Sequence, residues 1–355
     1  MLRRFLRFSS TETAIHMSEA LSKNVDGKQI VFTPGQAVKS HHLKNGRFKN
    51  PWLSAGNGIP INPWNFIRYW RDFNWKNMRT VPPVEERVPI ENIDFPLLAK
   101  IHSQEVKDYS VTWLGHSSFL IIWNGVKIVT DPVFSQRCSP FSFMGPKRYT
   151  QTPCKISELF PIDLVLISHC HYDHLDKATI KEIGNQAHYI VPLKTSSLLK
   201  KWGITSTNIS ELDWHDSIDI DFGSKHGADK KLKINCTPAQ HGANRWLWDR
   251  DAYLWCSYVI QDTKSKLFFA GDTGYRKVPR GIIGDAVLDY PHNPEFKAIG
   301  DKFKEIDVAL LPIGAYSPQH IFSLVHADPY DAACIFRDIK AKKFHPMHYG
   351  VNLLI

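Results

Sequence analysis

The stretch that most constrains this chain runs from Asp163 to Asp176, with the sequence DLVLISHCHYDHLD. Its first half is mainly apolar and has the length and composition of a strand buried on both faces of a sheet. His169, His171, Asp173 and His174 follow this strand within six positions. Because imidazole and carboxylate groups are common metal ligands, the motif predicts a metal site. The alternative is a histidine-rich loop with ordinary hydrogen bonds.

The spacing within the motif indicates two groups of ligands. His169 and His171 are two positions apart, so in an extended turn both rings can point to the same side. Asp173 and His174 stand where the chain must turn into a helix predicted for Lys177 to Ile183, and they can face a second metal ion. Three imidazoles and one carboxylate are too few for two ions, so further ligands must come from elsewhere in the chain.

Other short motifs point to the family that this sequence resembles. The segment His169 to His174, HCHYDH, is similar to the signature of the metallo-β-lactamase superfamily. With further motifs it resembles the N-acyl-phosphatidylethanolamine-hydrolysing phospholipase D family over about residues 46–352. Those motifs are Trp113-Leu114-Gly115-His116, Thr130-Asp131-Pro132, Met144-Gly145-Pro146-Lys147-Arg148, Ala270-Gly271-Asp272-Thr273-Gly274-Tyr275, Pro312-Ile313-Gly314-Ala315-Tyr316 and His348-Tyr349-Gly350.

The resemblance implies ligands for two zinc ions. His169, His171 and His241 would hold one ion, Asp173, His174 and His348 the other, and Asp272 would bridge them. Several of these residues come just after a predicted strand, which would bring them to one rim of the sheets. His345 competes with His348 on sequence alone, but only His348 matches the family motif.

Three further residues and one segment have a predicted role near the metal ions. Asp131 ends a predicted strand and would orient a metal-bound histidine or water, so it joins Asp272 as a candidate catalytic residue. Tyr172 and His326 match family positions that contact substrate, and burial as packing residues is the alternative for each. The segment Met144 to Arg148 carries two cations, which either support a loop or help to hold a phosphate.

The resemblance implies a dizinc phosphodiesterase of phospholipase D type. A metal-bridging hydroxide would attack the phosphorus of N-acyl-phosphatidylethanolamine, and the products would be an N-acylethanolamine and phosphatidate. Two alternatives remain open at this point. One is a hydrolase of the same superfamily that acts on another ester, such as a nuclease or thioesterase. The other is a non-catalytic, metal-containing protein that binds lipid.

The order of predicted elements indicates an α/β fold, namely a metallo-β-lactamase-like αββα sandwich with two mixed β-sheets and an N-terminal extension. Strands grouped in hairpins alternate with helices, and Asn124-Gly125 is a strong hairpin signal. We expect three parts: a basic, flexible segment over residues 1–45, an aromatic and basic, membrane-proximal extension over residues 46–105, and the catalytic domain over residues 106–355. The catalytic domain is short at its C-terminus relative to the family.

Charge and aromatic residues favour a phospholipid surface as the partner. The formal net charge is +9, and residues 1–50 hold nine Lys and Arg against three acids, a net +6. Between Trp52 and Trp75 stand seven large aromatic residues, of which Phe66, Tyr69, Trp70 and Phe73 have helical spacing. This segment is either a helix packed on the catalytic domain or an interfacial helix. We expect no nucleic-acid partner, and a homodimer is implied by the resemblance alone.

The expected location is intracellular and peripheral to a membrane, in the Golgi or endosomes by resemblance. No run of 18 apolar residues is present that could span a bilayer. Met1 to Ser10, with three arginines and no acid, resembles a mitochondrial presequence and makes mitochondria the alternative. The six cysteines are scattered without a C-x-x-C pair, which fits a reducing compartment.

Overall fold

The computed structural model describes residues 22–25, 27–36, 39–56, 81–103, 109–141, 143–223, 231–282 and 284–352. In chain order its strands are β1 (Ser22–Val25), β2 (Lys28–Thr33), β3 (Ser110–Gly115), β4 (Ser118–Trp123), β5 (Val126–Thr130), β6 (Leu164–Leu166), β7 (His188–Pro192), β8 (Ile209–Leu212), β9 (Ser217–Asp221), β10 (Lys231–Thr237), β11 (Ser257–Gln261), β12 (Lys266–Phe269), β13 (Ile306–Pro312) and β14 (Ala341–Met347). Its α-helices are α1 (Phe95–His102), α2 (Lys177–Ile183), α3 (Ser196–Lys201), α4 (Glu295–Phe303), α5 (Gln319–Phe322) and α6 (Pro329–Asp338).

The strands form two mixed sheets, as the sequence predicts. The six-stranded sheet has the order β3-β4-β5-β6-β7-β8, antiparallel through β5 and parallel beyond it. The eight-stranded sheet has the order β1-β2-β9-β10-β11-β12-β13-β14, and only its last two pairings are parallel. Strand β6 lies between two parallel neighbours and is fully buried, which explains its apolar sequence.

Local turn chemistry fixes the hairpin between β4 and β5. Asn124 and Gly125 both have positive φ, of 50° and 73°, which these residue types tolerate and a type I′ turn requires. The resulting register pairs Trp123 with Val126 and Phe119 with Thr130. The predicted hairpin is therefore confirmed, and it delivers Asp131 to the end of β5.

The two sheets pack face to face through a shared apolar core and a few buried polar links. The Tyr258 hydroxyl, from β11, donates to the Ile167 carbonyl at 2.9 Å. The Cys256 amide donates to the Ser168 carbonyl at 3.0 Å. Helices cover the outer faces: α1 packs on β4 and α3 near β8 on one side, and α6 packs on β13 and β14 on the other. The αββα sandwich is thus the observed architecture.

The expectation of a flexible segment over residues 1–45 is wrong for the part that the structure describes. Strands β1 and β2 form a hairpin, and β2 pairs with β9 at the end of the eight-stranded sheet. Ile30 in β2 is buried in the common core. The apolar run Ile30 to Phe32 and the Asp26-Gly27 turn signal are present in the sequence. The hairpin obtains its place in the eight-stranded sheet only through the pairing of β2 with β9.

Two predicted segments fall outside the described residues. They are the presequence-like Met1 to Ser10 and the aromatic helix that contains Phe66 to Phe73. The described parts of residues 46–105 lie on the catalytic domain, where Phe48, Ala55 and Ile101 are buried. Among the described helices, none has the length and apolar character needed to cross a membrane.

Candidate metal centre

The predicted ligands meet because five strands end at the same rim of the sandwich. The motif from His169 follows β6, and Asp131, His241, Asp272 and His348 come one to four residues after β5, β10, β12 and β14. The chain turns sharply at this rim. A Cβ at Gly271, where φ is +58°, would lie 2.4 Å from the Ser168 Cβ, so only glycine fits between the two strand ends.

The first group of ligands consists of His169, His171 and His241. The Nε2 atom of His169 lies 2.8 Å from the Nδ1 atom of His171, and Nε2 of His241 lies 3.2 Å from that same Nδ1. These three nitrogen atoms converge on one point from the ends of β6 and β10. The structure therefore brings together the three histidines that the resemblance assigns to one ion.

The second group consists of Asp173, His174 and His348, joined by His116. The Asp173 Oδ2 atom lies 3.0 Å from Nε2 of His116, 3.4 Å from Nε2 of His348 and 3.6 Å from Nε2 of His174. All four residues can contribute one atom to a common site. His116 was not among the predicted ligands, although it lies in a motif, Trp113 to His116, that carries the resemblance.

Asp272 lies between the two groups. Its Oδ2 atom is 3.1 Å from Nε2 of both His174 and His348, and it is 3.7 Å and 3.9 Å from Nε2 of His241 and His169. One carboxylate thus faces histidines of both groups. This position is the one expected for a ligand that is shared by two metal ions.

The unpaired polar atoms and the distances between the donor atoms fit bound metal ions. Buried atoms with no hydrogen-bond partner lie at the centre: Nε2 of His174, Nε2 of His348 and Oδ1 of Asp272. Buried polar atoms are seldom left unpaired without a reason. Ligands bound tetrahedrally about 2.0–2.1 Å from zinc lie about 3.3 Å apart, close to the separations seen here. Nitrogen and carboxylate donors also suit zinc.

Hydrogen bonds behind the ligands fix which imidazole nitrogen faces the centre. His174 donates from Nδ1 to Asp131 at 2.7 Å, and Asp131 also accepts from the Ser168 hydroxyl at 2.5 Å. His241 donates from Nδ1 to the Val325 carbonyl at 2.8 Å. In the neutral ring, each bond leaves the opposite nitrogen with a lone pair that can bind a metal. Burial opposes a charge on His174, but Asp272 and Asp173 raise its pKa well above the usual value, so metal binding there would displace a proton. Asp131 therefore lies where the sequence predicts, behind a ligand.

His171 has the reverse orientation because its outer nitrogen contacts Asn244, a residue outside the motifs. Its Nε2 atom donates to the Asn244 Oδ1 atom at 3.1 Å, so Nδ1 faces the other two histidines of its group. Asn244 lies 73 positions further along the chain. No motif around Asn244 indicated this contact.

Electrostatics divide the imidazoles into two sets. Burial and the neighbouring rings hold the pKa values of His169 and His241 well below the usual range, and burial lowers the pKa of His116 to about 3. These rings are neutral at pH 7 and ready to bind a metal. Burial opposes the charge on His348, but Asp272 and Asp173 raise its pKa to about 9. Metal binding there would release a proton.

The centre opens into a cavity of about 300 Å³ lined by His171, Tyr172, Asp272, His326 and Cys138, among others. His326 Nδ1 lies 3.8 Å from the Asp272 Oδ2 atom and has no hydrogen-bond partner. Tyr172 lies on the cavity wall, with the Arg245 guanidinium 3.6 Å from its ring centre. The structure places both predicted substrate-contacting residues beside the metal centre.

The positions of His345 and Arg148 decide between the alternatives left open for each of them. The His345 ring packs against Trp113 and Phe119, with ring centres 6.3 Å and 5.4 Å apart, and it belongs to neither ligand group. Arg148 is buried and donates to the carbonyls of Val133 at 2.6 Å and Thr150 at 3.3 Å. Of its two predicted roles, Arg148 therefore has the one that supports a loop.

Two groups of histidines around a shared carboxylate, at the rim of an αββα sandwich, define a metal-dependent hydrolase of the metallo-β-lactamase type. The beta-lactamase superfamily domain matches residues 126–349 of the chain. That range includes all the predicted metal ligands.

Individual relatives indicate which family of metal-dependent hydrolases the chain resembles. The chain is 35% identical over 320 residues to N-acyl-phosphatidylethanolamine-hydrolyzing phospholipase D 1 of Caenorhabditis elegans, covering 87% of this chain and 82% of that protein. It is 34% identical to an uncharacterized protein of Mycobacterium tuberculosis, covering 70% of this chain and 61% of that protein.

It is also 31% identical to the mitochondrial N-acyl-phosphatidylethanolamine-hydrolyzing phospholipase D of Saccharomyces cerevisiae, covering 78% of this chain and 56% of that protein. The chain belongs to the N-acyl-phosphatidylethanolamine-hydrolysing phospholipase D family within the metallo-β-lactamase superfamily.

Proposed function

We propose that the protein is a dizinc phosphodiesterase that hydrolyses N-acyl-phosphatidylethanolamine to an N-acylethanolamine and phosphatidate. One observation carries the proposal: the Oδ2 atom of Asp272 lies within 3.9 Å of imidazoles from both ligand groups. A shared carboxylate suits a pair of divalent ions better than a single ion. The names of the worm and yeast relatives support the substrate.

The two zinc ions, when bound, would supply a hydroxide nucleophile at neutral pH and would stabilise negative charge on the phosphoryl oxygens. The protein fixes the orientation of the ligand side chains. Asp131 and Asn244 hold the rings of His174 and His171 from behind, so that the lone pairs face inward before substrate binds.

We assign His326 to direct contact with the substrate. Its Nδ1 atom is buried, has no partner and belongs to a ring on the cavity wall. Burial lowers its pKa to about 4, so the ring is neutral at pH 7 and can donate one hydrogen bond without carrying a charge. We assign it to the phosphate or to the oxygen of the leaving group.

The test combines metal analysis with a substrate comparison. The purified protein is expected to contain two zinc ions per chain and to release N-acylethanolamine from N-acyl-phosphatidylethanolamine dispersed in detergent. Nucleotide phosphodiesters and thioesters serve as competing substrates at the same concentration. A kcat/KM for either competitor above that for the lipid would overturn the proposed substrate, and one metal ion per fully active chain would overturn the dinuclear site.

Location remains part of the proposal. The name of the yeast relative contains the word mitochondrial, which supports the mitochondrial alternative drawn from Met1 to Ser10. Peripheral attachment to a membrane and a homodimer remain predictions. Imaging of the full chain with a C-terminal tag would distinguish mitochondria from Golgi and endosomes.

A further inference from the structure

A loop beside the metal centre exposes three large apolar side chains in succession. Trp246, Leu247 and Trp248 are 41%, 93% and 71% exposed. The two indole rings stack with their centres 5.2 Å apart and their planes 3° from parallel. Single exposed apolar residues are common, but a contiguous group of this size marks an interaction surface. We refer to residues 245–250 as the Trp246 loop.

The loop is held firmly in this exposed conformation. The Asp249 Oδ1 atom accepts hydrogen bonds from the backbone amides of Arg245 and Trp246, at 2.9 Å and 2.8 Å. From the other side, the Arg47 guanidinium donates to the Trp248 carbonyl at 2.9 Å. The indole rings thus project from a supported backbone.

The Trp246 loop is also tied to the metal centre. Asn244, which accepts from the metal ligand His171, donates from Nδ2 to the Trp246 carbonyl at 3.2 Å. Leu247 lines a second cavity together with His171, His241 and His326. The Leu247 side chain is therefore exposed at the surface and also lies at the mouth of the cavity beside the metal centre.

Positive charge accompanies the apolar group. Residues 39–49, KSHHLKNGRFK, contain four Lys and Arg and no acid. Lys44 and Lys49 of this segment are exposed. The Phe48 amide donates to the Asp251 carbonyl at 2.9 Å, which holds the segment against the end of the loop. Exposed indole rings on a loop that adjoins a basic segment match the interface of a bilayer, where apolar chains lie beneath phosphate groups.

We infer that the Trp246 loop is a membrane-docking surface, which inserts Trp246, Leu247 and Trp248 between phospholipid headgroups while Lys44 and Lys49 contact the phosphates. This inference rests on the proposed function for its partner, a phospholipid bilayer. Docking would bring the mouth of the cavity against the lipid headgroups, so that a phospholipid could reach the metal centre without leaving the membrane entirely.

The test measures binding of the full chain to vesicles of phosphatidylcholine with phosphatidylglycerol by co-sedimentation. The Trp246→Ser/Trp248→Ser variant is expected to bind at least about tenfold more weakly, because two interfacial aromatic anchors are removed. It should retain hydrolysis of lipid dispersed in detergent. The affinity of the Lys44→Gln/Lys49→Gln variant for anionic vesicles should fall about fivefold per lysine, and its affinity for pure phosphatidylcholine vesicles should equal that of the parent.

A matched control removes exposed apolar side chains that line neither cavity. Val84 and Leu288 are 72% and 48% exposed, and the Val84→Ser/Leu288→Ser variant should bind vesicles like the parent. Equal vesicle binding by the parent and the tryptophan variant would overturn the inference. A shift of oligomeric state in that variant with unchanged vesicle binding would also overturn it, and would assign the surface to a second copy of the chain.

The outcomes separate this inference from the proposed function. If the parent hydrolyses no N-acyl-phosphatidylethanolamine but the tryptophan variant loses vesicle binding, the docking surface stands and the proposed function fails. If the parent hydrolyses the lipid and both proteins bind vesicles equally, the function stands and the docking surface fails.

Discussion

The Asp272 carboxylate faces histidines of both ligand groups. It is buried, and it lies 3.1 Å from both His174 and His348. Burial opposes its ionisation, but these two imidazoles hold its pKa well below the usual range, so the carboxylate is charged at neutral pH. A charged oxygen is what two cations require of a shared ligand.

We expect Asp272→Asn to lower kcat/KM at least about 100-fold and to reduce the zinc bound per chain, because a neutral amide bridges two cations poorly. Metal analysis and steady-state kinetics on the detergent-dispersed lipid measure both effects. Asp219→Asn is the control, since Asp219 forms a half-exposed surface pair with Lys233 at 2.8 Å and such pairs contribute little. Activity of the Asp272 variant within about threefold of the parent would refute the bridging role.

The two C-terminal histidines provide a second test at this scale. His348→Ala removes a ligand and should leave about one zinc ion per chain and no measurable turnover. His345→Ala removes a ring that packs on Trp113 and Phe119, and should lower Tm while zinc content stays at the parental value. The reverse pattern of metal contents would show that the C-terminal strand presents the other residue to the site.

At the scale of elements, a segment near the N-terminus is fastened to the turn between β8 and β9. Asp213 in that turn is buried and accepts hydrogen bonds from His41 at 2.7 Å, His42 at 2.9 Å and Lys39 at 2.9 Å. Burial opposes the charge on Asp213, but His41 and Lys39 keep its pKa below the ordinary value. The His41 ring also stacks on Trp214, with centres 4.1 Å apart.

Breaking this link should destabilise the protein more than breaking a surface ion pair. Asp213→Ala leaves His41 buried without its acceptor, so we expect a loss of roughly 3 kcal/mol in the free energy of unfolding. Asp301→Ala, which removes the exposed partner of Lys340, should cost less than about 1 kcal/mol. Urea denaturation of both variants and the parent gives the comparison, and equal losses would contradict the role assigned to Asp213.

For the whole molecule, buried neutral histidines make stability depend on pH. His188 in β7 is buried, and its Nε2 atom contacts the Ser210 hydroxyl at 2.9 Å. Burial lowers its pKa from 6.5 to about 3. Because the folded state disfavours the proton, the contribution of His188 is fully present above pH 6.5 and is lost as the pH falls toward 3.

We therefore expect His188→Gln, which can still bond to Ser210, to flatten the dependence of unfolding free energy on pH between 4.5 and 6.5. The slope should decrease by up to about 1.4 kcal/mol per pH unit, the value for one proton. Urea denaturation at several pH values measures the slope. His292→Gln, at an exposed position, is the control and should leave the slope as it is in the parent. An unchanged slope in the His188 variant would show that this ring is protonated without cost.

The sequence by itself determined the features that are encoded locally. An apolar run followed by HCHYDH predicts a buried strand that ends in metal ligands, and Asn124-Gly125 predicts the hairpin that delivers Asp131. The strand predicted from Lys343 does end at Met347, immediately before His348. These predictions succeed because strand burial, turn geometry and short ligand spacing depend on neighbouring residues.

Only the tertiary structure decided which distant residues complete the centre. His116 reaches Asp173 across 57 positions, and Asn244 reaches His171 across 73. Outside the centre, His41 reaches Asp213 across 172 positions. His116 lies in one of the motifs that carry the resemblance, but no local spacing links it to Asp173, and nothing in the sequence around Asn244 or His41 distinguishes them from ordinary polar residues. Their roles follow from the order of the strands and the packing of the two sheets, which bring remote parts of the chain to one rim. The same reason explains β1 and β2, whose place in the sheet depends on β9, more than 180 residues away.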